Sequence, residues 1–322
     1  MQMNSIIYKI TLVVFTSAIV LSCKPKFDVP DPDNGNIDVS NYVALGSSMT
    51  AGYSNGALYY VAQQTSYANI LAEQFKLIGG GEFKIPNVSP SSIGMGNANN
   101  APSILGNRTD CQGTVSLGPV KIGTQGDASV FTNIYSSQGS FNNMAVPDAK
   151  VIDMEIGGYS NPFYQRIASS GSSSILSDAV SKNSTFFSVN LGLHDVLKYT
   201  LKGGATDSIS SISGAVGIGF EASINNVVDK MMANGAKGVI ANIPSIKTMA
   251  YFNTIAWNAL KLTKAKADSL TDLYATNFDS TVFIEGNNGF IIEDISVPFL
   301  EFRQAVQGEM ILLNVPLDSI KC

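Results

Sequence analysis

Residues 42–52 read Tyr42-Val43-Ala44-Leu45-Gly46-Ser47-Ser48-Met49-Thr50-Ala51-Gly52. A short apolar run closed by glycine has the pattern of a buried strand. The serines that follow fall where a strand turns into a helix. Such a turn exposes a hydroxyl while nearby backbone N–H groups face an anion. Working outward, residues 185–191 (TFFSVNL) form a second such run, and it too ends in a polar turn, Gly192-Leu193-His194-Asp195. Residues 66–77 carry Tyr67, Ile70, Leu71, Gln74 and Phe75 at helical spacing. Phe220, Ile224, Val227, Val228, Met231 and Met232 make an apolar helical face that stops at Asn234-Gly235, ahead of a strand over 238–243. Residues 258–278 read as a further helix and 281–285 as the next strand. This helix-then-strand order predicts an α/β fold: a single three-layer α/β/α sandwich with a parallel sheet covered on both faces. In open sheets of that kind ligands bind outside the carboxyl ends of the strands, where both polar turns fall.

Residues 79–143 break the pattern. Gly, Asn, Ser and Pro dominate and apolar pieces are short, which predicts a long loop-rich insertion with room for a small hairpin. At the start of the chain, Lys9 precedes an apolar run over 10–21 that ends at Ser22-Cys23. That run falls short of the roughly 20 residues that span a bilayer core, so residues 1–22 read as a signal peptide. Leu21-Ser22-Cys23 resembles a bacterial lipobox, where cleavage precedes the cysteine and lipid is attached to its sulfur. It implies an exported protein lipid-anchored at Cys23 in the cell envelope, at the outer membrane of a Gram-negative bacterium. An ordinary signal peptide with an incidental cysteine is the alternative. Residues 23–40, rich in Pro and Asp, read as a flexible linker. Asp31, Asp33 and Gly35 follow a calcium-loop spacing only superficially, because no Glu stands at the twelfth position and Pro32 interrupts them. Of the remaining cysteines, Cys111 and Cys322 either pair in an oxidising compartment or leave Cys322 as a free terminal thiol.

Composition narrows the function. Charged residues are 14% against roughly 25% in ordinary domains, and 20 basic against 25 acidic residues leave a net charge of −5. That argues against the basic footprint of a nucleic-acid binder. One histidine and three cysteines without a CxxC pair exclude a Cys/His zinc cluster, so neither metal nor cofactor is expected. Asp153 and Glu155 alternate like strand neighbours and suggest a glycosidase pair, or two solvated carboxylates. Tyr159, Phe163 and Tyr164 suit either a sugar or acyl site or a helix core. Gly214, Gly217 and Gly219 hint at a phosphate loop, but no GK[ST] follows.

The order of the polar blocks resembles the SGNH/GDSL hydrolase family, over roughly residues 41–322. Gly46-Ser47-Ser48-Met49-Thr50-Ala51-Gly52 is similar to the family's first block, with Ser48 at the nucleophile and Ser47 in place of Asp. Residues 142–150 (NNMAVPDAK) resemble the second block, with Asp148 where the oxyanion glycine stands. Gly192-Leu193-His194-Asp195 resembles GxND, with His194 in place of Asn. Gly286-Asn287-Asn288-Gly289-Phe290 and Asp294 look like features of exported lipoproteins of this family. The resemblance implies an SGNH/flavodoxin-like sandwich and a serine hydrolase acting on acyl or acetyl esters, including esters of carbohydrate. A small ester or acylated glycan would be its substrate. The family's C-terminal DxxH block has no counterpart, since His194 is the lone histidine. The expectation is a domain truncated at its C-terminus, or one that has lost its base.

An alcohol is a poor nucleophile until a base takes its proton. The resemblance offers the Ser48 and Asp148 backbone N–H groups as oxyanion donors. His194 then has three readings: oxyanion donor, substitute base for Ser48, or structural filler. Asp195 orients that ring or caps a helix over 196–201. An Asp148 carboxylate aimed inward would oppose an oxyanion; aimed at solvent it would be neutral. Two functions follow: a lipid-anchored ester hydrolase whose activity is impaired, or a non-catalytic surface lipoprotein that binds a glycan or protein partner through the same cleft. Lipidation is directly testable. Expressed in a Gram-negative host, the full chain is expected in the membrane fraction, and Cys23→Ala is expected to release or mis-process it. A wild-type protein that is fully soluble with an unmodified Cys23 contradicts the lipobox.

Overall fold

The structure, a computed structural model, describes residues 31–110, 113–205, 209–277, 281–294 and 302–313. Its frame is a parallel sheet. Strand β1 (Tyr42–Gly46) is buried at every position. It runs into the short helix α1 (Ser48–Ala51), then into a pair of two-residue strands, β2 (Tyr53–Ser54) and β3 (Ala57–Leu58). Helices α2 (Tyr60–Gln64) and α3 (Tyr67–Lys76) follow, α3 starting where the Ser66 hydroxyl accepts from the Asn69 N–H. The loop-rich stretch holds one antiparallel hairpin, β4 (Ser103–Thr109) with β5 (Val115–Lys121). Short helices α4 (Tyr135–Gln138), α5 (Pro162–Gln165) and α6 (Ile175–Val180) lead to β6 (Phe186–Asn190), which passes into α7 (Leu193–Thr200). Helix α8 (Phe220–Met232) precedes β7 (Lys237–Ile240). Beyond it lie β8 (Leu260–Leu262), α9 (Lys264–Asn277), β9 (Gly286–Asn288), β10 (Ile291–Glu293) and β11 (Phe302–Gln304).

The sheet order is β1-β6-β7, all parallel, with Tyr42 opposite Phe186 and Gly46 opposite Asn190. On the free edge of β1, residues 142–146 add a ladder: Ala44 N–H to Asn142 O at 2.9 Å, Met144 N–H to Ala44 O at 2.9 Å, and Val146 N–H to Gly46 O at 3.0 Å. Alternation along β1 and β6 sends side chains to two apolar layers. Val43, Leu45, Phe187 and Val189 join Ile175, Leu176 and Ala179 of α6 and Val227 and Met231 of α8. Tyr42, Ala44 and Phe186 join Ala68 and Ala72 of α3 on the other face, where Tyr42 stacks on Phe83 with ring centroids 5.0 Å apart. The molecule is thus mixed α/β, with a three-stranded parallel sheet and several two-stranded antiparallel pairs.

Three expectations change. The strand expected over 238–243 is β7, but all four of its residues are exposed, Val239 and Ile240 at 51% each. Apolar sequence marked a strand, yet no layer covers this edge among the described residues. The helix expected over 258–278 starts only at Lys264. Leu260-Lys261-Leu262 alternates half-buried, exposed, buried, and pairs antiparallel with β9. Residues 281–284 are not a strand either. Phe283 docks against Ala267 of α9, and its N–H donates to the Thr271 hydroxyl at 2.9 Å, so a helix side chain replaces a neighbouring strand as its partner.

The expected signal segment over residues 1–22, Cys23, Cys111 and Cys322 lie outside the described residues. The chain divides at Gly35 and Asn36 into two units. Residues 31–38 are exposed without helix or strand, and Val39 is buried in the second apolar layer. Among the described residues no helix is long and apolar enough to cross a membrane.

If the two layers on β1 and β6 carry the stability, Phe187→Ala, at a residue 1% exposed, is expected to cost about 3–5 kcal/mol in urea unfolding. Val239→Thr on the exposed β7 is expected to change it by no more than about 0.5 kcal/mol. Equal effects at the two sites would contradict this core.

Candidate active site

Three backbone devices bring the site together. The Ser47 N–H donates to Asn190 O at 3.3 Å, tying the end of β1 to the end of β6. Ser48 then opens α1, where backbone N–H groups have no partner within the helix. Gly46 permits the tight approach, because a Cβ there would lie 1.9 Å from Thr50 Oγ1. At the start of α7, Gly192 has φ +98°, a left-handed conformation that presents His194 and Asp195 in the first helical turn. The ladder along 142–146 ends in Asp148, whose φ of +63° is also left-handed. That is the backbone a glycine adopts freely, and Asp is among the few other residues that tolerate it. The aspartate therefore keeps the turn while adding a carboxylate.

That carboxylate points inward. The Ser48 hydroxyl donates to Asp148 Oδ1 at 3.4 Å and accepts from the Asp148 backbone N–H at 3.2 Å. His194 Nδ1 lies 3.6 Å from the same Oδ1. Asn97, from the loop-rich stretch, donates its side-chain amide to Oδ2. Ser48, Asp148 and His194 converge, with Asp148 as the bridge. Asp148, His194 and Asn97 line a cleft of about 550 Å³, together with Lys150, Asp153, Tyr159 and Lys198.

Burial and charge pull on His194 in opposite directions. Its side chain is only 14% exposed, and desolvation lowers its pKa below the ordinary 6.5, against the pull of Asp148 and Asp195 to raise it. The ring is neutral at neutral pH. Asp195 fills neither expected role. Its Oδ2 accepts from the Val151 N–H at 2.9 Å, fastening the 151–153 turn to α7, and its Oδ1 has no hydrogen-bond partner. The residue is 2% exposed, and desolvation raises its carboxyl pKa above 3.8.

The remaining sequence candidates separate. Asp153 lines the cleft and accepts from the Tyr159 hydroxyl at 2.8 Å, whereas Glu155 pairs with Lys230 of α8. They do not form a carboxylate pair across one site. Phe163 and Tyr164 are core residues, 2% and 1% exposed, while Tyr159 stands at the cleft wall. Gly217 and Gly219 lead into α8, where Ser223 Oγ accepts from the Gly217 N–H and donates to Gly219 O. Asn288 is buried and clamps Ile284 through both main-chain groups, and Asp294 pairs with Arg303 at 2.5 Å. Sequence reasoning missed Asn97, Lys150 and Lys198. Lys150 closes the 142–150 run, two residues after Asp148, but was given no role there, and Asn97 sits in a Gly/Asn-rich run with no local signal. Neither a scan of protein-family models nor searches of curated proteins and of solved structures find a match to this chain.

Asp195 yields a pH-dependent stability test. A carboxyl whose folded pKa is raised is destabilised by ionisation in the native state, so its cost is absent below about 3.8 and grows as pH rises through the folded pKa. Asp195→Asn keeps an acceptor for the Val151 N–H and removes the charge. Its melting temperature is expected to exceed that of the wild type at pH 7, with the gain shrinking as pH falls toward 4. A constant difference across that range contradicts the assignment.

Proposed function

We propose that this chain is a slow serine ester hydrolase of the SGNH/GDSL type, exported, lipid-anchored at Cys23, and acting on acyl or acetyl esters such as those of an acylated glycan. The observation that carries the proposal is the bridge from Ser48 through Asp148 Oδ1 to His194 at the carboxyl ends of β1 and β6. Support for the sandwich fold of that family comes from the apolar layers on both faces of these two strands.

In this mechanism Ser48 Oγ attacks the ester carbonyl carbon as the carbonyl pair moves onto oxygen. The hydroxyl proton passes to Asp148 Oδ1, the acceptor within reach. Backbone N–H groups of Ser48 and Asp148 face the oxyanion. Collapse expels the alcohol, which takes the proton back from Asp148. Water then repeats the sequence on the acyl-enzyme. Two effects make turnover slow. A carboxylate is a weaker base than an imidazole. Before it is protonated, it also sets a negative charge beside the developing oxyanion. Capturing the proton removes that charge, so proton transfer must run ahead of oxyanion formation. Neutral His194 steadies Asp148. Protonated, it would draw the carboxylate into an ion pair and away from Ser48.

The purified chain is expected to hydrolyse nitrophenyl acetate slowly, with activity abolished in Ser48→Ala. Asp148→Asn is expected to lose about 10²-fold or more, the usual scale of general-base help. Activity should fall on the acid side with a midpoint below 6.5, because burial lowers the His194 pKa, and this limb should vanish in His194→Gln. Turnover that is absent, or indifferent to Ser48→Ala, overturns the hydrolase and favours a non-catalytic lipoprotein binding a glycan or protein through the same cleft.

A further inference from the structure

A second cavity adjoins the cleft lined by Asp148 and His194, and Tyr159 lines both. It encloses about 350 Å³ and is bounded by Asn133, Tyr135, Tyr164, Gln165 and Ser170 besides Tyr159. That is near the lower end of the ~300–1,000 Å³ typical of small-molecule sites. No Asp, Glu, Lys, Arg or His contributes to its lining. The walls are preorganised. The Asn133 amide donates to Gln165 O at 2.7 Å and Ala168 O at 3.2 Å, and its Oδ1 accepts from the Tyr135 N–H at 3.0 Å. The Gly158 N–H donates to Ser173 O at 2.8 Å, closing the turn that carries Tyr159 against the 170–173 turn. Tyr159 and Tyr164 have ring centroids 6.4 Å apart, with their planes tilted by 35°.

This lining selects a ligand class. Without a counter-charge, an anion or cation would lose its hydration for nothing. A hydrocarbon chain would strip water from amide and hydroxyl groups it cannot replace. A neutral polyhydroxylated ring suits both kinds of wall: its C–H face covers aromatic carbon and its hydroxyls exchange hydrogen bonds with Asn, Gln, Ser and Tyr. We infer that this cavity is a subsite for a neutral oligosaccharide, holding the glycan whose ester enters the Asp148 and His194 cleft past Tyr159. The link to the ester rests on the hydrolase proposed above; the oligosaccharide site itself does not.

The test is calorimetric titration of the full chain with xylotetraose, mannotetraose and N-acetylchitotetraose separately, all lacking ester groups. Gly171 lines the cavity, and a Cβ built there meets nothing within 4 Å, so a side chain can start there without a clash and Gly171→Trp is chosen to obstruct the space. At least one of the three is expected to bind, and to bind at least ten-fold more weakly to Gly171→Trp, with an unchanged melting temperature as the check that the variant is folded. A milder loss in Gln165→Ala, at an exposed position, supports the same site. Saturable binding to none of the three, or binding that Gly171→Trp leaves intact, overturns the subsite. Nitrophenyl acetate turnover is measured alongside: turnover without oligosaccharide binding sinks the subsite and spares the hydrolase. Binding blocked by Gly171→Trp in a chain without turnover does the reverse.

Discussion

The parallel pairing of β1 with β6 governs the geometry of this protein. Its register sets Gly46 opposite Asn190, so the two strands end level and the turns that follow them emerge side by side. A slip of one residue would send Val43 and Leu45 to the layer that holds Tyr42 and Ala44, and every core contact on both faces would be exchanged. The apolar layers thus fix the register, and the register fixes where Ser48 and His194 stand. The ladder over 142–146 extends the same constraint to Asp148, which is 100 residues from Ser48 in sequence. The ends of this sheet hold Ser48 and His194 within hydrogen-bonding or near-contact range of the Asp148 carboxylate.

Asp148 is where that frame acquires its particular chemistry. Its left-handed backbone is dictated by the end of the ladder, and with it goes an N–H aimed at the Ser48 hydroxyl. A glycine there would offer only that N–H. The aspartate adds an acceptor for the hydroxyl proton and a negative charge at the same place, two effects that would oppose each other in the proposed attack on an ester. Asn97 holds the second carboxylate oxygen, and the ring of His194 faces the first. The carboxylate is 42% exposed at its side chain, so water tempers the charge without removing it.

Legibility in the sequence followed how local the cause was. Helix α3 and helix α8 lie close to where apolar spacing put them, because one face of each meets a continuous apolar layer. Leu260-Lys261-Leu262 looked like the start of a helix only because α9 follows it at once; its two-residue alternation becomes a strand through pairing with β9. Residues 281–284 carry a strand's composition, yet Phe283 is claimed by α9. The apolar residues of β7 announced burial, and the exposed edge of the sheet withheld it. Asp195 sat inside a recognised block, but its partner is the backbone of Val151, which no pattern near Asp195 encodes.

By itself the sequence determined the two strand-and-turn units around Ser48 and His194, since an apolar run closed by a glycine turn is settled by neighbours within a few residues. It also determined which chemistry was at hand: one histidine, a serine at a strand end, and an aspartate in the 142–150 run. Only the tertiary structure decided that Asp148 turns its carboxylate toward Ser48, that Asn97 reaches it from a featureless loop, and that Asp195 serves a backbone amide rather than the ring. The physical reason is separation. Hydrogen bonds and charges act over a few ångströms, while these partners are tens of residues apart in the chain, and only the folded sheet and the loops packed on it bring them together.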